Sequence, residues 1–260
     1  MRPKPEYLGP EHAARFQEEE VASVYHLRPS YPAETFTFLV GLITSQPRTL
    51  LDVGAGTGAI ARPMAPLVER VDAVDFSQAM IERGKQLPGG DHPHLHWIYG
   101  RIEDVALAPP YALVTAGQSL HWMDWDVVLP RFRAVLDPAG FLAIVHVETL
   151  ATPWNSELIK IIRHYTTNPH YKPVNIITEL EQRGLFQRAG EKKTAPVPFT
   201  QPLSDYIESF HARSSLSRAG LGRENAAAFR RAVRVLVAPF TENGQVELQI
   251  VGDVVWGMPL

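Results

Sequence analysis

The chain contains 260 residues, of which 45% are hydrophobic and 20% charged, a composition typical of globular proteins with a sizeable core. It has no cysteine, which excludes disulfides, thiolate metal sites and cysteine nucleophiles. The formal net charge of -3 argues against a general nucleic-acid-binding surface, and no apolar run approaches the roughly 20 residues that span a bilayer. We therefore expect a cytoplasmic, soluble protein without nucleic-acid or membrane partners.

The N-terminal segment, residues 1–45, is expected to hold two helices with a turn between them. The first helix is predicted from Glu11 to Tyr25 and the second from about Ala33 to Ile43. The stretch YHLRPSYP, residues 25–32, separates them. Its two prolines disfavour helical backbone at the residues before them, so the stretch is predicted to be extended.

Residues 46–149 alternate short apolar runs with helical patterns. The strands are predicted in TLLDV, VDAVDF, LHWIYG, YALVTAGQS and DPAGFLAIVHV. The helices are predicted in GAIARPMAPLVER, SQAMIERGKQL and WDVVLPRFRAVL. Pro63 and Pro66 must lie near the first turn of the first of these helices or bend it. Ser77 is the predicted N-cap of the second. Alternation of this kind predicts a doubly wound α/β sheet.

The alternation of short apolar runs with helical patterns ends after Thr149. Residues 150–192 are predicted to form a helical cap, with helices in WNSELIKIIRHYTT and VNIITELEQRGLF. Residues 193–260 are predicted to complete the core, with a sixth strand in APVPFT and a last strand in QVELQIVGDVVWGMP. Two further helices are expected between those strands, in LSDYIESFHARSSL and ENAAAFRRAVRVLVAPF.

The most informative stretch is DVGAGTG, which follows the first predicted strand. Gly54 and Gly56 allow a tight turn and a close approach of a ligand, and Asp52 lies just before them. Asp75 ends the second strand, where a carboxylate can accept hydrogen bonds from both ribose hydroxyls. Ligands of α/β sheets bind beyond the carboxyl ends of the strands, so this region is the predicted site.

The same spacing also fits a dinucleotide cofactor, because Gly54, Gly56 and Ala59 match the G-x-G-x-x-A fingerprint. An acid as close as Asp52 would repel a pyrophosphate but suits an ammonium group. The alternating glycines and the later strand ends resemble class I S-adenosylmethionine (SAM)-dependent methyltransferases.

That resemblance implies SAM as the cofactor, with S-adenosylhomocysteine as the product. By resemblance, the glycine loop and Asp75 hold the methionine and ribose parts, and the segments FSQAM and GRIEDVAL border the adenine. The cofactor-binding residues implied are Tyr25, Arg28, Asp52, Gly54, Ala55, Gly56, Asp75, Phe76, Met80, Ile102, Glu103, Ala116 and Gln118.

The stretch TAGQSLHWMD resembles the end of the fourth strand in small-molecule methyltransferases of the ubiquinone-biosynthesis and trans-aconitate type, and YHLRPSYP resembles their N-terminal segment. His121 is the candidate general base, because an unperturbed imidazole titrates near neutral pH. The other reading is a histidine that only shapes the pocket. Trp122 and Tyr31 are expected on the substrate side.

The resemblance further implies a Rossmann-like seven-stranded, mostly parallel sheet with a reversed last strand, helices on both faces and a helical cap over the substrate pocket. The implied reaction is methyl transfer to O, N or C of a small-molecule acceptor, by a monomer or a homodimer. Two alternatives stay open. One is a SAM-binding protein with a sensing or other non-methylating role, and the other is an NAD-dependent oxidoreductase.

Two further patterns have an ordinary explanation and a functional one. His92, His94 and His96 alternate as zinc or copper ligands on a strand would, but a solvated loop without metal is expected. The C-terminal third is basic, which predicts either a solvated helix face or a site for a carboxylate substrate. Its arginines are Arg213, Arg218, Arg223, Arg230, Arg231 and Arg234.

Overall fold

The computed structural model of the chain describes residues 9–171 and 174–260. The chain folds as two compact units. We call Met1–Pro29, Thr149–Lys172 and Pro196–Ile250 the helical unit, and Ser30–Glu148, Pro173–Ala195 and Val251–Leu260 the sheet unit. The predicted division into four consecutive segments, with a cap over the substrate pocket, stays a prediction.

The sheet unit is built on a twisted α/β sheet. Its strands are β1 (Thr49–Val53), β2 (Arg70–Asp75), β3 (Leu95–Tyr99), β4 (Tyr111–Gly117), β5 (Leu136–Thr149), β6 (Phe186–Lys193) and β8 (Gln245–Pro259). Their hydrogen-bonded order is β3-β2-β1-β4-β5-β8-β6. The first five strands in this order pair in parallel, whereas the last strand along the chain, β8, is antiparallel to β6. The predicted Rossmann-like, mostly parallel sheet is confirmed.

Helices flank the strands of the sheet unit. They are α3 (Ala33–Gly41), α4 (Ala61–Met64), α5 (Gln78–Gln86), α6 (Trp125–Val135) and α8 (Ile176–Gln182). The predicted N-cap of α5 is confirmed, since the Ser77 hydroxyl accepts a hydrogen bond from the Met80 amide. The strand β1 is buried at every position, as a central parallel strand covered on both faces must be.

The helical unit has its own apolar core. Its helices are α1 (Pro10–Ala13), α2 (Glu19–Tyr25), α7 (Asn155–Tyr165), α9 (Leu203–Ser209), α10 (Arg218–Leu221) and α11 (Arg223–Val237), and its strand β7 (Val197–Pro202) pairs antiparallel with residues 245–250 of β8. Along α11, Ala226, Phe229, Val233 and Val237 recur every three or four residues and are buried in this core. Among the described residues, no helix is both long and apolar enough to cross a bilayer.

Several predicted elements were wrong in detail. The first predicted helix is interrupted, because Glu18 is extended between a short 3-10 segment and α2. The helix predicted after the glycine loop is a single turn, α4, followed by a 3-10 turn that contains Pro66. Seven strands form one continuous order, as predicted, and β7 pairs beside β8 as an eighth among the described residues. Strand β6 was not predicted, and APVPFT supplies β7 instead of the sixth strand.

A buried polar network fixes β2 against β4. The Asp72 side chain is only 5% exposed and accepts a hydrogen bond of 2.6 Å from the Tyr111 hydroxyl. Arg70 Nε and His96 Nδ1 each lie 3.4 Å from an oxygen of the same carboxylate. The pKa of Tyr111 is raised to about 12 by burial and by the hydrogen bond that its hydroxyl donates to the Asp72 carboxylate. The hydroxyl is therefore a permanent donor at physiological pH.

Removing this donor should destabilise the fold. We expect Tyr111→Phe to lower the free energy of unfolding by about 1–3 kcal/mol, because a buried carboxylate oxygen loses its shortest partner. Urea unfolding at pH 7 measures the change. Tyr99→Phe is the matched control, since Tyr99 is 61% exposed, and its effect should stay within about 0.5 kcal/mol. Equal effects of the two substitutions would contradict the structural role of Tyr111.

Candidate active site

The glycine loop leaves β1 in a left-handed conformation. Gly54 has φ of 63° and Gly56 has φ of 57°, a region that residues with a Cβ rarely adopt. A Cβ at Gly54 would also lie 2.5 Å from the Cβ of Ser119, so no larger side chain fits there. The Ala55 amide donates to the Val74 carbonyl of β2 at 3.0 Å, which anchors the loop to the neighbouring strand.

Asp75 connects the loop to the helix after β2. Its Oδ2 accepts a 2.7 Å hydrogen bond from the Gly56 amide, and its Oδ1 accepts one of 2.8 Å from the Ser77 amide. A carboxylate has about four acceptor positions, so each oxygen can still accept one further donor. Burial nevertheless raises the pKa of Asp75 to about 6.

Asp52 is held by contacts within the fold, and its predicted place near the amino-acid end of the cofactor, through loop or water contacts, stays a prediction. The residue is 2% exposed. Its Oδ1 accepts from the Thr115 hydroxyl at 2.8 Å, and its Oδ2 accepts from the Ala61 amide at 3.1 Å. Burial, with a further contribution from the charge of Asp75, raises the pKa of Asp52 to about 7. Asp52 therefore joins β1, β4 and α4.

The two shifts make the stability of the free protein depend on pH. The folded-state pKa values of Asp52 and Asp75 lie above the ordinary value of 3.8. The folded state thus binds these protons more tightly than the unfolded state does. Their contribution favours folding at low pH and is lost as the pH rises from 3.8 through about 7. A positive charge brought to this site would offset that loss.

The segments predicted to border an adenine lie next to buried surfaces. Phe76 is half-buried, whereas Met80 and Ile102 are 1% and 4% exposed and belong largely to the core. The Glu103 carboxylate accepts a hydrogen bond from the Asp124 amide, the N-cap of α6, at 3.1 Å. Glu103 thereby links the turn after β3 to the segment after β4.

The end of β4 adopts an unusual backbone conformation. Ala116 is fully buried, and Gln118 has φ of 51°, which is rare for a residue with a side chain. The Gln118 amide and side-chain nitrogen both donate to carbonyls of β5, those of Val145 and Val147. Strain of this kind persists only where the surroundings impose it, and it is concentrated at functional sites.

The predicted substrate-side residues follow this turn. His121 and Trp122 are half-buried, and their rings are in tilted contact, with a centroid distance of 4.6 Å and an interplanar angle of 49°. Tyr31 is 9% exposed, and its hydroxyl would lie 2.9 Å from a Cβ at Gly117, so it reaches the end of β4. These three residues and the glycine loop all belong to the sheet unit.

Tyr25 and Arg28 belong to the helical unit. The Arg28 guanidinium donates to the Tyr25 hydroxyl at 2.9 Å and lies 5.1 Å from the centre of its ring. The pair is therefore held together locally. Its predicted contact with a cofactor stays a prediction.

Sequence reasoning missed His146, which lies near the carboxyl end of β5. Burial lowers the pKa of its imidazole, although the Asp253 and Glu148 carboxylates partly oppose that shift. Lys193 lies 3.4 Å from Glu148 and 3.6 Å from Asp253, so both carboxylates are partly neutralised. A histidine that ends an otherwise apolar strand was the available signal, and the predicted strand DPAGFLAIVHV contained it.

Two of the three alternating histidines have partners within the fold. His94 Nδ1 lies 2.9 Å from the Val68 carbonyl, and His96 lies beside Asp72. Within the described ranges, no group of three or more histidines and carboxylates is placed to hold a metal.

A surface depression of about 570 Å³ in the helical unit is lined by residues such as Trp154 and Phe240, and it includes none of the predicted site residues.

Comparisons with known proteins agree with the fold. Residues 50–140 match a family described as a methyltransferase domain. A malonyl-[acyl-carrier protein] O-methyltransferase of Halalkalibacterium halodurans is 31% identical over 37% of this chain, and the match spans only 38% of that relative's length.

Solved structures extend the likeness over most of the chain. A candidate type II methyltransferase from Anaeromyxobacter dehalogenans superposes with a TM-score of 0.64 and 23% identity, covering 90% of this chain and 99% of the other. A SAM-dependent methyltransferase from Thiobacillus denitrificans, solved with S-adenosylhomocysteine, gives 0.52 and 13% identity over 93% and 97% of the two chains. The family match is thus confined to residues 50–140, and the solved structures, both below 25% identity, share the fold over most of the chain.

Proposed function

We propose that the protein is a SAM-dependent methyltransferase that acts on a small-molecule acceptor. One observation carries the proposal: a left-handed glycine loop lies between two buried carboxylates, Asp52 and Asp75, whose pKa values are raised to about 7 and about 6. The site thus holds negative charge that the protein neutralises poorly. A cation with hydroxyl donors suits it, and a pyrophosphate does not.

The residues present fit SAM at this place. The spare acceptor positions of Asp75 suit the two ribose hydroxyls, and its bonds to the Gly56 and Ser77 amides fix its orientation. Gly54 and Gly56 present backbone without a Cβ to the methionine part. Phe76 and Ile102 are the proposed walls for the adenine.

When bound, SAM supplies a methyl group activated by its sulfonium, so the protein's task is orientation and removal of a proton. We assign the proton to His121, which takes it from the acceptor's nucleophilic atom. The ring of Trp122 restricts the imidazole through a tilted contact with a centroid distance of 4.6 Å. The left-handed turn at Gln118 sets where both side chains project. The acceptor is proposed to be small, and a monomer or a homodimer suffices.

The sign of the proton linkage separates SAM from NAD. A cation near Asp52 and Asp75 lowers their pKa values and releases protons, so SAM affinity should rise with pH up to the pKa values of the free protein, about 6 and about 7, and level off above them. The anionic NAD should take up protons and bind more weakly as the pH rises. Calorimetric titration in buffers of different ionisation enthalpy measures the protons directly.

Asp52→Asn should remove most of this linkage. The amide can still accept from the Ala61 N–H and donate to the Thr115 hydroxyl, so the variant should fold. Asp104→Asn is the matched control, because its side chain is 77% exposed. Proton uptake with NAD and no binding of SAM would overturn the assignment of the cofactor.

Asp75→Ala tests the placement of the ribose. We expect SAM affinity to fall by about 1–3 kcal/mol, because charge-assisted hydrogen bonds to the hydroxyls are lost. The variant also loses the bonds to Gly56 and Ser77, so its unfolding curve must show that the protein is folded at the titration temperature. Unchanged affinity would place the ribose elsewhere.

His121→Ala tests the proposed base. SAM affinity should stay near that of the unchanged protein, while formation of S-adenosylhomocysteine with an acceptor found by screening should fall at least about tenfold. His94→Ala serves as the control, because His94 bonds to the Val68 carbonyl and has no assigned role. Retained activity would make His121 a wall of the pocket, and no product with any acceptor would favour the sensing role.

A further inference from the structure

His211 lies in the core of the helical unit and takes no part in the proposed methyl transfer. It is 1% exposed, and its ring lies 5.7 Å from that of Phe229, a fully buried residue of α11. Its Nδ1 lies 2.8 Å from the carbonyl oxygen of Leu216. Because a carbonyl oxygen only accepts hydrogen bonds, Nδ1 carries a hydrogen and donates it to Leu216.

The other ring nitrogen of His211 has no comparable bond. Nε2 is buried and has no hydrogen-bond partner among the described residues. With the hydrogen on Nδ1, the neutral ring presents only an acceptor lone pair at Nε2. A proton at Nε2 would place a charged donor in the core without an acceptor, which is among the most costly arrangements for a buried group.

The bond from His211 to Leu216 closes the turn of residues 210–217, which leads from the end of α9 to the start of α10. The same turn is joined to the end of α7, because the Thr167 amide donates to the Ser215 carbonyl at 2.9 Å. The imidazole thus fixes a segment that connects three helices of this unit. A ring that had to leave the core would release that segment.

The carboxylates on the helices around His211 are paired with arginines. The turn that holds His211 packs on α2 and α9, and its ring contacts α11. Glu20 of α2 lies 3.2 Å from Arg218, and Glu208 of α9 pairs with Arg218 and lies 2.9 Å from Arg230 of α11. Since these carboxylates have other partners and neither bonds to Nε2, a proton on His211 finds no counter-ion in contact.

We propose that His211 is an acid-sensitive latch of the helical unit. At neutral pH the uncharged ring holds the turn of residues 210–217 closed through its bond to Leu216. In mildly acidic solution, protonation at Nε2 drives the ring toward water, breaks that bond and opens the turn. The proposal does not depend on the cofactor or on methyl transfer.

The direction of the pH dependence follows from the free energy of the proton. Burial lowers the pKa of His211 below its ordinary value of 6.5, and the charge of Arg230 adds to this shift, although the bond to Leu216 and the charge of Glu20 oppose it. The unfolded state therefore binds the proton more tightly than the folded state. The contribution of His211 to stability is complete above pH 6.5 and is lost as the pH falls below that value.

Amide hydrogen exchange of the whole protein at pH 7 and pH 5, expressed as protection factors, tests the proposal. We expect protection of α9 and α11 to fall at least about fivefold, the lower end of the effect of a buried donor without an acceptor. Protection of β1 and β2 should not fall, because burial shifts the pKa values of Asp52 and Asp75 in the opposite direction.

His211→Asn should remove the response. The amide nitrogen of asparagine can take the place of Nδ1 and donate to Leu216, but it does not titrate, so protection of α9 and α11 should change less than about twofold between the two pH values. His170→Asn is the matched control, because His170 is an exposed histidine of the same unit, and this variant should keep the full response.

The latch is refuted if α9 and α11 keep their protection at pH 5, or if His211→Asn loses it as the unchanged protein does. It is also refuted if β1 and β2 lose protection to the same extent, because the whole protein would then unfold. Should His211→Asn not fold, exchange of the imidazole Cε1 hydrogens decides on the unchanged protein. His211 should titrate at a lower pH than His170, and equal midpoints would overturn the proposal.

Discussion

The carboxylate of Asp75 is the interaction on which the candidate site depends. One oxygen holds the Gly56 amide and the other holds the Ser77 amide, so a single side chain fixes both the glycine loop and the start of α5. Burial makes the arrangement costly for the ionised group. The loop is thus held in place by a carboxylate whose negative charge the protein neutralises poorly. Binding sites often retain such groups for function although they lower stability.

The first five strands along the chain could be predicted from the sequence, because each is an apolar run bounded by turns or helical patterns. Strand β6 could not. Its sequence FQRAGEKK lacks alternation, and six of its eight side chains are exposed. Its place is set by pairing with β8, where the Trp256 ring covers Gly190 so closely that a Cβ there would lie 2.4 Å away. Such a contact is tertiary and leaves no local pattern.

The candidate site could likewise be predicted only in part. The glycines could be predicted because a tight left-handed turn favours residues without a Cβ, whereas the recognition of ribose hydroxyls by Asp75 stays a prediction. The internal role of Asp52 could not be predicted, since its partners Thr115 and Ala61 are set by strand register and loop path rather than by local sequence. The cluster of His146, Glu148, Asp253 and Lys193 joins three strands, and only the folded sheet shows it.

The charge that the sheet unit leaves uncompensated is negative. It buries Asp52 and Asp75 without a cationic partner among the described residues. Structural charges elsewhere in the chain, such as Asp72 with Arg70 or Arg218 with Glu208, are paired. Because an unpaired buried charge costs stability, and paired charges are available in the same fold, the retention of two carboxylates at this place points to a ligand of opposite sign.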